Sequence, residues 1–263
     1  MEIDISWWMY PIAILAGALA GFINTLAGNG SAVTLPLLVM MGLSPTVANG
    51  TNRVGVIIQS IIAAFTFQKK GMIPKEGIWW MIVPSVLGAL VGANVAVNLT
   101  ESTMQLAMGI LMVFLLMLVL LNPKKWLAES VADMAKVRSP RNIFIFFLIG
   151  VHGGFLQAGV GVMLLAALVL GAGYSLRYAN GVKMLIVLVF SLPALLTFVW
   201  NGDVNWAYGL LVALGQGFGG WLGGVFAADY PNANIWVRRI LIAVILLAIV
   251  KFFGVHQWIL ELL

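Results

Sequence analysis

The chain has 263 residues, of which 62% are apolar and only 9% are charged, and its mean hydropathy is +1.05. An average soluble domain carries roughly 25% charged residues, so this composition excludes a water-soluble protein and indicates an integral membrane protein. There is no cysteine, which excludes a disulfide framework and a thiolate metal site. The net charge of +5 is small and lies mostly in loops, so we expect the lipid bilayer as a partner, no nucleic acid, no metal and no cofactor.

Ten apolar segments follow one another along the chain. They cover residues 7–27, 31–41, 46–67, 78–97, 104–121, 142–157, 160–170, 175–200, 206–226 and 237–253. A full crossing takes about 20 helical residues, and the second and seventh segments have about half that length. Short, glycine-flanked segments at matching places in two halves indicate discontinuous or re-entrant helices near the midplane of the bilayer.

The second half of the sequence repeats the first at a constant spacing. Ala48-Asn49-Gly50 recurs as Ala179-Asn180-Gly181, and we call the spacing from Ala48 to Ala179 the repeat offset. The same offset aligns further identical residues without a gap, among them Gly28 with Gly159 and Gly92 with Gly223. We therefore predict a duplication, with a first transmembrane repeat over 1–121, a cytoplasmic linker over 122–141 and a second transmembrane repeat over 142–263.

The loop charges predict that the two repeats have opposite orientations. The loop that contains Lys69, Lys70 and Lys75 should be cytoplasmic, whereas its counterpart around Gly202 carries only Asp203 and should be outside. Five segments in each half, an odd number, give the same result. The expected fold is an all-α membrane protein, a polytopic helical bundle of two inverted repeats.

Glycines precede both short segments. Gly28 and Gly30 allow a close backbone approach to a ligand, and the short helix that follows presents unpaired N–H groups and a positive dipole end, which together favour an anion. Gly159 and Gly161 would form a second cradle of the same kind. The alternative is that these glycines only allow helices to pack closely, as glycine often does in membranes.

Cations follow both Ala-Asn-Gly stretches. Arg53 and Lys183 lie within otherwise apolar segments, where a charge is costly and indicates a functional site. Alternatively, both could snorkel to an interface, and Asn49 and Asn180 could be helix caps. The predicted substrate-binding set is Gly28, Asn29, Gly30, Asn49, Thr51, Asn52, Arg53, Gln157, Gly159, Gly161, Asn180 and Lys183.

None of the nine acidic residues lies inside a segment, so no carboxylate is placed to relay a proton. His152 is the one residue near the midplane that could be a proton carrier, although a lone histidine in a helix is more often a packing residue. We therefore expect an anion carrier that is driven mainly by the membrane potential and the anion gradient.

Several motifs together resemble a known family. Gly28-Asn29-Gly30, then Leu35-Pro36, then Ala48-Asn49-Gly50-Thr51-Asn52, with this order repeated in the second half, resemble the sulfite exporter family TauE/SafE. The resemblance implies a multi-pass exporter in a bacterial cell inner membrane for sulfite or a related sulfur oxyanion or organosulfonate. The second copy, Ala158-Gly159-Val160-Gly161, lacks the asparagine, so the two half-sites are not equivalent.

Two other functions remain open from the sequence. Ser31 with His152 or His256 could form the dyad of an intramembrane serine hydrolase, but there is no Gly-x-Ser-Gly elbow, and Val162 stands at the repeat position of Ser31. An uncoupled anion channel is the second alternative, because a sequence does not show whether transport is coupled.

Overall fold

The computed structural model describes residues 9–74, 76–120 and 134–229, and these ranges are helical with short connections, without a strand. The helices are α1 Met9–Ala27, α2 Ser31–Met40, α3 Pro45–Lys69, α4 Trp79–Val97, α5 Glu101–Leu120, α6 Met134–Val137, α7 Pro140–Phe155, α8 Val160–Ala166, continued by a π-helical turn Ala167–Gly171, then α9 Leu176–Trp200 and α10 Trp206–Asp229. The predicted segment 237–253, His256, Lys75 and most of the predicted linker lie outside the described residues.

The helices have the length and polarity distribution of a membrane protein. Helices α1, α4 and α9, and residues Trp206–Phe226 of α10, are long and apolar enough to cross a bilayer. Large apolar side chains such as Leu15, Phe65 and Leu196 are exposed on the outside, whereas Gln59 and Gln216 are buried. This distribution suits a lipid environment and confirms the prediction of a polytopic all-α bundle.

Two of the predicted apolar segments form helices that are too short to cross a bilayer. Helix α2 has 10 residues and α8 has seven, which at 1.5 Å per residue gives α2 a length of about 15 Å, half of the apolar thickness of about 30 Å. Left-handed glycines precede both, since Gly28 has a φ of +75° and Gly159 a φ of +77°. The prediction that segments 31–41 and 160–170 are short helices is confirmed.

The backbone geometry recurs at the spacing of the sequence repeat. Helices α3 and α9 both have 25 residues, and their first residues, Pro45 and Leu176, are one repeat offset apart. Six of the seven left-handed glycines among the described residues form three pairs with the same separation: Gly28 with Gly159, Gly42 with Gly173, and Gly71 with Gly202. Only glycine adopts this conformation without strain. The repeated turns therefore explain why glycines recur at a constant spacing in the two halves.

The two halves of the chain are interleaved. Helix α1 packs along α10, and the contacts progress in the same direction on both helices, from Gly17 beside Val212 to Thr25 beside Gly223. Helix α4 packs along α7 in the same way, and a methyl group at Gly92 would overlap with the carbonyl oxygen of Val151. Glycines thus allow the first helix of each half to contact the fourth helix of the other half at backbone distance.

Helices α3 and α9 cross in opposite directions. Gly50, near the beginning of α3, lies beside Phe198 at the end of α9, whereas Gly181, near the beginning of α9, lies beside Met72 just after α3. Each Ala-Asn-Gly stretch is therefore next to the far end of the equivalent helix in the other half.

Candidate functional site

The two glycine turns meet in the interior of the bundle. A methyl group built at Gly28 would lie closer than 3.0 Å to backbone atoms of Gly161, and one built at Gly161 would lie equally close to backbone atoms of Gly28. Such distances are far below van der Waals contact, so the end of α1 and the beginning of α8 touch through backbone atoms alone. The structure brings the two predicted cradles to one place.

Asn29 lies in the first of these turns and is completely buried. Neither its amide nitrogen nor its amide oxygen has a hydrogen-bond partner. Next to it, the N–H of Gly30 donates to Oδ1 of Asn24 at 3.3 Å. A buried amide without partners is costly, and such a group commonly marks the position of an ion, a water or a ligand. Asn29 therefore identifies this turn as a candidate binding position.

Arg53 is fully buried against the C-terminal end of α7. Its Nη1 donates to the carbonyl oxygen of Gly153 at 3.1 Å and its Nη2 to that of Gly154, and the guanidinium lies 4.6 Å from the centre of the Phe198 ring. Its Nε has no partner. The side chain therefore has donor capacity left over, and the snorkelling alternative is wrong for this residue.

Lys183 has the equivalent relation to the end of α1. Its ammonium donates to the carbonyl oxygens of Asn24 at 3.1 Å and Thr25 at 2.9 Å, and to Oδ1 of Asn180 at 3.0 Å. The residue is fully buried, so it does not snorkel either. Each half thus supplies a cation to the carbonyls at the C-terminal end of the first helix of the other half, where the helix dipole is negative.

Two further predicted site residues meet at the C-terminal end of α7. Asn49 contacts this end from α3, and Gln157 follows it in the chain. Nδ2 of Asn49 donates to the carbonyl oxygen of Phe155 at 2.6 Å, and its Oδ1 is buried without a partner. Gln157 has a φ of +54°, alone among the non-glycine residues described, and its Nε2 donates to Oγ of Ser191 at 2.7 Å while its Oε1 has no partner. Unsatisfied polar atoms and a strained backbone at one place are typical of a functional site.

The cap interpretation of Asn49 and Asn180 is wrong. Helices α3 and α9 begin earlier, with Ser44 and Ser175 as the N-cap residues, so both asparagines lie inside the helices. Thr51, another predicted site residue, accepts a hydrogen bond from the N–H of Asn205 at 2.9 Å and therefore anchors the loop after α9.

A buried polar network around Asn52 was not fully predicted. Nδ2 of Asn52 donates to Oγ of Ser31 at 3.0 Å, and its Oδ1 accepts from Oγ1 of Thr34 and, at 3.4 Å, from Nε2 of Gln216. Oε1 of Gln216 has no partner. The network joins α2, α3 and α10 beside the Gly28 turn.

A second buried polar cluster joins α1 to α3. Nδ2 of Asn24 donates to Oε1 of Gln59 at 3.1 Å, and Nε2 of Gln59 donates to Oγ1 of Thr25 at 3.2 Å. The signal that could have found these residues is an amide inside an apolar span, which is costly unless it has a partner or a function.

The equivalent positions in the second half are apolar. At the repeat offset, the counterparts of Asn24, Ser31, Thr34 and Gln59 are Phe155, Val162, Leu165 and Phe190. The polar residues that surround the first glycine turn are therefore not repeated at the second turn, where Gln157 and Ser191 are the buried polar side chains instead.

Loops pack on the site residues from both ends of the bundle. The carbonyl oxygen of Asp203 lies against Gly50, and that of Met72 lies against Gly181. Near the first of these loops, Glu101 accepts hydrogen bonds from Oγ of Ser44 at 2.9 Å and from the N–H of Thr46 at 3.1 Å. Burial raises the pKa of Asp203, and the charge of Glu101 raises it further.

The residues of the suggested hydrolytic dyad have other partners. Nε2 of His152 lies 2.8 Å from the carbonyl oxygen of Ala158, and Oγ of Ser31 accepts from Asn52. In the described part of the chain no acidic residue lies in the interior of a helix, since Glu101 and Asp229 stand at helix ends and Glu76 and Asp203 in loops.

These features define a class, a polytopic membrane protein whose broken helices surround a buried polar site, which is the architecture of transporters. Residues 13–252 match the family model "Sulfite exporter TauE/SafE", and the chain belongs to this family. It is a multi-pass membrane transporter and not an enzyme.

Relatives with assigned names agree with this class. A "Probable membrane transporter protein" of Haemophilus influenzae is 24% identical over 84% of this chain and 86% of its own length. YfcA of Escherichia coli, named in the same way, is 26% identical over 81% and 78%. ORF9 of a Sinorhizobium species, also so named, is 26% identical over 94% and 93%. No solved structure has a significant match to this chain.

Proposed function

We propose that this protein exports a small anion, sulfite or a related sulfur oxyanion or organosulfonate, across a bacterial inner membrane. The observation that carries the proposal is the unpartnered, fully buried Asn29 in a glycine turn. The buried cations Arg53 and Lys183 contact the C-terminal ends of α7 and α1, the helices that lead into the two glycine turns. No buried carboxylate offsets these cations among the described residues. A positive interior favours an anion over a metal ion or an organic cation.

The unsatisfied atoms suit an oxyanion. Nε of Arg53 and the amide nitrogen of Asn29 are donors without acceptors, and the oxygens of a sulfite or sulfonate group are acceptors. Oδ1 of Asn49 and Oε1 of Gln157 can accept from a water or from a protonated substrate oxygen. Lys183 adds charge without a free N–H, because its three donors are already used.

We also propose the inverted architecture, with repeats over 1–121 and 142–263 joined by a cytoplasmic linker over 122–141. The support is that α3 and α9, equivalent helices in the sequence repeat, cross in opposite directions. A carrier is favoured over an open channel because a loop of each half packs on the Ala-Asn-Gly stretch of the other half from opposite ends.

The test is sulfite flux from proteoliposomes that contain Arg53→Ala or Lys183→Ala. A hydrogen bond to a charged group contributes roughly 1.5–3 kcal/mol, so flux below saturation should fall on the order of 10- to 100-fold for Arg53→Ala. We expect a comparable loss for Lys183→Ala, because it removes a positive charge from the site and the hydrogen bonds that hold the end of α1, with both proteins still inserted in the membrane. Arg177→Ala, which removes an exposed arginine on α9, is the matched control and should transport like the wild type. Wild-type flux in Arg53→Ala or Lys183→Ala would remove that residue from the site.

The class of substrate can be identified without a transport assay. A ligand that binds only the folded protein raises its melting temperature, by an amount that follows RT ln(1 + [L]/Kd). We expect sulfite or another sulfur oxyanion in a panel to stabilise the wild type and to lose this effect in Arg53→Ala. Stabilisation by chloride alone would contradict the proposed substrate class.

A further inference from the structure

We infer that the carbonyls at the end of α1 form a monovalent-cation site and that Lys183 fills this site with the protein's own ammonium group. Three oxygens surround Nζ: the carbonyl oxygens of Asn24 and Thr25 and Oδ1 of Asn180, at 3.1, 2.9 and 3.0 Å. The distances are those of ordinary N–H···O hydrogen bonds. The three N–H donors of an ammonium match the three acceptors.

The position is one that attracts cations for a physical reason. Helix α1 ends at Ala27, where Gly28 turns the chain with a left-handed φ of +75°, so no further helical turn covers its last carbonyls. The carbonyl oxygen of Asn24 accepts the N–H of Gly28 at 2.8 Å and accepts Nζ of Lys183 as a second donor. The C-terminal end of a helix carries a partial negative charge. In secondary transporters, such broken helix ends and free carbonyls coordinate Na⁺ or receive a proton.

The oxygens themselves are uncharged, and no carboxylate faces the ammonium among its described partners. Lys183 is completely buried, so bulk solvent does not screen its charge. A charge held by neutral oxygens in this way resembles a bound ion more than an ion pair. Removal of the side chain beyond Cβ would leave the three oxygens around an empty volume with the preference of a site for NH₄⁺, K⁺ or Na⁺.

Arg53 is the buried cation of the other half, one position away from the counterpart of Lys183 in the sequence repeat, and provides the contrast. The guanidinium of Arg53 has five N–H donors. Its Nη1 and Nη2 donate to the carbonyl oxygens of Gly153 and Gly154, whereas its Nε has no partner. Lys183 has no donor left. The two cations therefore have different roles: Arg53 can contact a substrate directly, and Lys183 holds the end of α1. This inference does not depend on which anion the protein carries.

One consequence is that the wild-type protein needs no alkali cation at this position, because the site is already filled. The test uses purified full-length Lys183→Ala and its melting temperature in ammonium, methylammonium, potassium, sodium and choline chloride at equal ionic strength. Ammonium should raise the melting temperature of Lys183→Ala in a saturable manner, on the order of 5–10 °C at one hundred times its Kd. Choline, which has no N–H and is too large for the site, should not.

Two proteins serve as controls. The wild type, with the site filled, and Lys69→Ala, which removes an exposed lysine near the end of α3, should show no difference between ammonium and choline. An equal response of Lys183→Ala to ammonium and choline, or an equal ammonium effect in the wild type, would overturn the inference. Because the readout is melting temperature, a protein that fails to transport sulfite can still pass or fail this test.

A second pair of variants keeps the inference testable if Lys183→Ala does not accumulate. Asn180→Asp places a carboxylate oxygen where the amide oxygen lies 3.0 Å from Nζ, and Asn180→Leu removes that acceptor. If a charged ammonium fills the site, Asn180→Asp should melt above the wild type and Asn180→Leu below it. An Asn180→Asp protein that melts no higher than Asn180→Leu would overturn the assignment.

Discussion

At the scale of single residues, Asn29 has a side chain that folding alone does not explain. It is buried, and neither amide atom makes a hydrogen bond. Leaving such a group unsatisfied destabilises a protein by roughly 1–3 kcal/mol, so an apolar residue would be more stable at this position. A ligand that pairs with the amide would account for the asparagine.

Substitution of Asn29 should separate the stability of the protein from its transport activity. Asn29→Ala should melt at or above the wild-type temperature, because it removes an unsatisfied amide, while sulfite flux should fall on the order of 10-fold for the loss of one hydrogen bond. Asn94→Ala, at an exposed asparagine of α4, should change neither quantity. A parallel loss of melting temperature and flux in Asn29→Ala would indicate a structural role instead.

The sequence predicted the buried cations but not their partners. A charge inside an apolar span is visible in the sequence, and Arg53 and Lys183 are indeed buried. Their partners are backbone carbonyls of the other half, and every residue has a carbonyl, so no side-chain pattern identifies which of them a cation will contact. Gln59 and Gln216 were missed for a related reason, because their role appears only when α1, α3 and α10 are assembled.

At the scale of elements, two constraints act on the glycines of the turns. One is a left-handed φ, and the other is close contact with a second backbone. Gly202 has a left-handed φ of +77° and nothing within 4 Å of an added methyl group, whereas Gly161 lies in helix α8 and contacts the backbone of Gly28. Gly28 has both the left-handed φ and the close contact. Comparison of these three positions isolates each constraint.

We expect the destabilisation to follow the number of constraints that alanine violates. Gly202→Ala should cost about 1–2 kcal/mol for the left-handed backbone alone. Gly161→Ala should cost more, because two backbones must separate, and Gly28→Ala should be the most destabilising and should abolish sulfite flux. The measurement is the melting temperature of each variant, with flux for those that insert. If Gly28→Ala and Gly202→Ala melt at the same temperature, the two glycine turns are not in tight contact.

The short helices could be predicted because length is a direct physical constraint. Segments 31–41 and 160–170 cannot reach across a bilayer, and α2 and α8 are short as expected. The first residues of α3 and α9 were harder to predict, because Ser44 and Asn49 are both residue types that favour the N-cap position. Pro45 at the first helical position identifies Ser44 as the N-cap residue, because proline has no N–H that would be left unpaired there. Nothing in the sequence predicted the π-helical turn Ala167–Gly171.

At the scale of the whole molecule, the inverted arrangement can be tested at two equivalent turns. Gly71 and Gly202 both lie in open turns, and the chain has no native cysteine, so Gly71→Cys and Gly202→Cys each give a single labelling site. In oriented vesicles an impermeant maleimide should label one variant only from inside and the other only from outside. A permeant maleimide, which should label both, is the control. Labelling from the same side would rule out the inverted repeat.

The driving force is also a property of the whole molecule. Among the described residues no carboxylate lies within a helix interior, and His152 contacts the carbonyl oxygen of Ala158. We therefore expect sulfite flux to follow the membrane potential, which for a divalent anion contributes about 4.6 kcal/mol per 100 mV towards export from a negative interior. The measurement clamps the potential and the pH gradient separately.

His152→Ala is the decisive variant for this prediction. Its potential-driven flux should remain within about two-fold of the wild type, because the histidine carries no transported charge; it would lose only one hydrogen bond, of roughly 0.5–1.5 kcal/mol. A flux that follows the pH gradient, ignores the potential and disappears in His152→Ala would make His152 the proton carrier.

The sequence repeat predicted that the chain has two halves but not how they are joined. The repeat offset aligns equivalent positions, and it carries no information about which helices touch. The natural assumption is that each half packs within itself. Instead α1 packs along α10 and α4 along α7, because glycines on each helix admit the backbone of its partner from the other half.

The pairing of α1 with α10 has a consequence for how the protein is made. Helix α1 is synthesised first, and the helix that covers its glycine face is synthesised last among the described helices, so the contact order of this pair is very high. During translation, Gly17 and Gly21 must face lipid or a chaperone until α10 has entered the membrane. This pair therefore cannot assemble before α10 has been synthesised, and a chain truncated before Trp206 should be degraded faster than the full chain in a pulse-chase experiment.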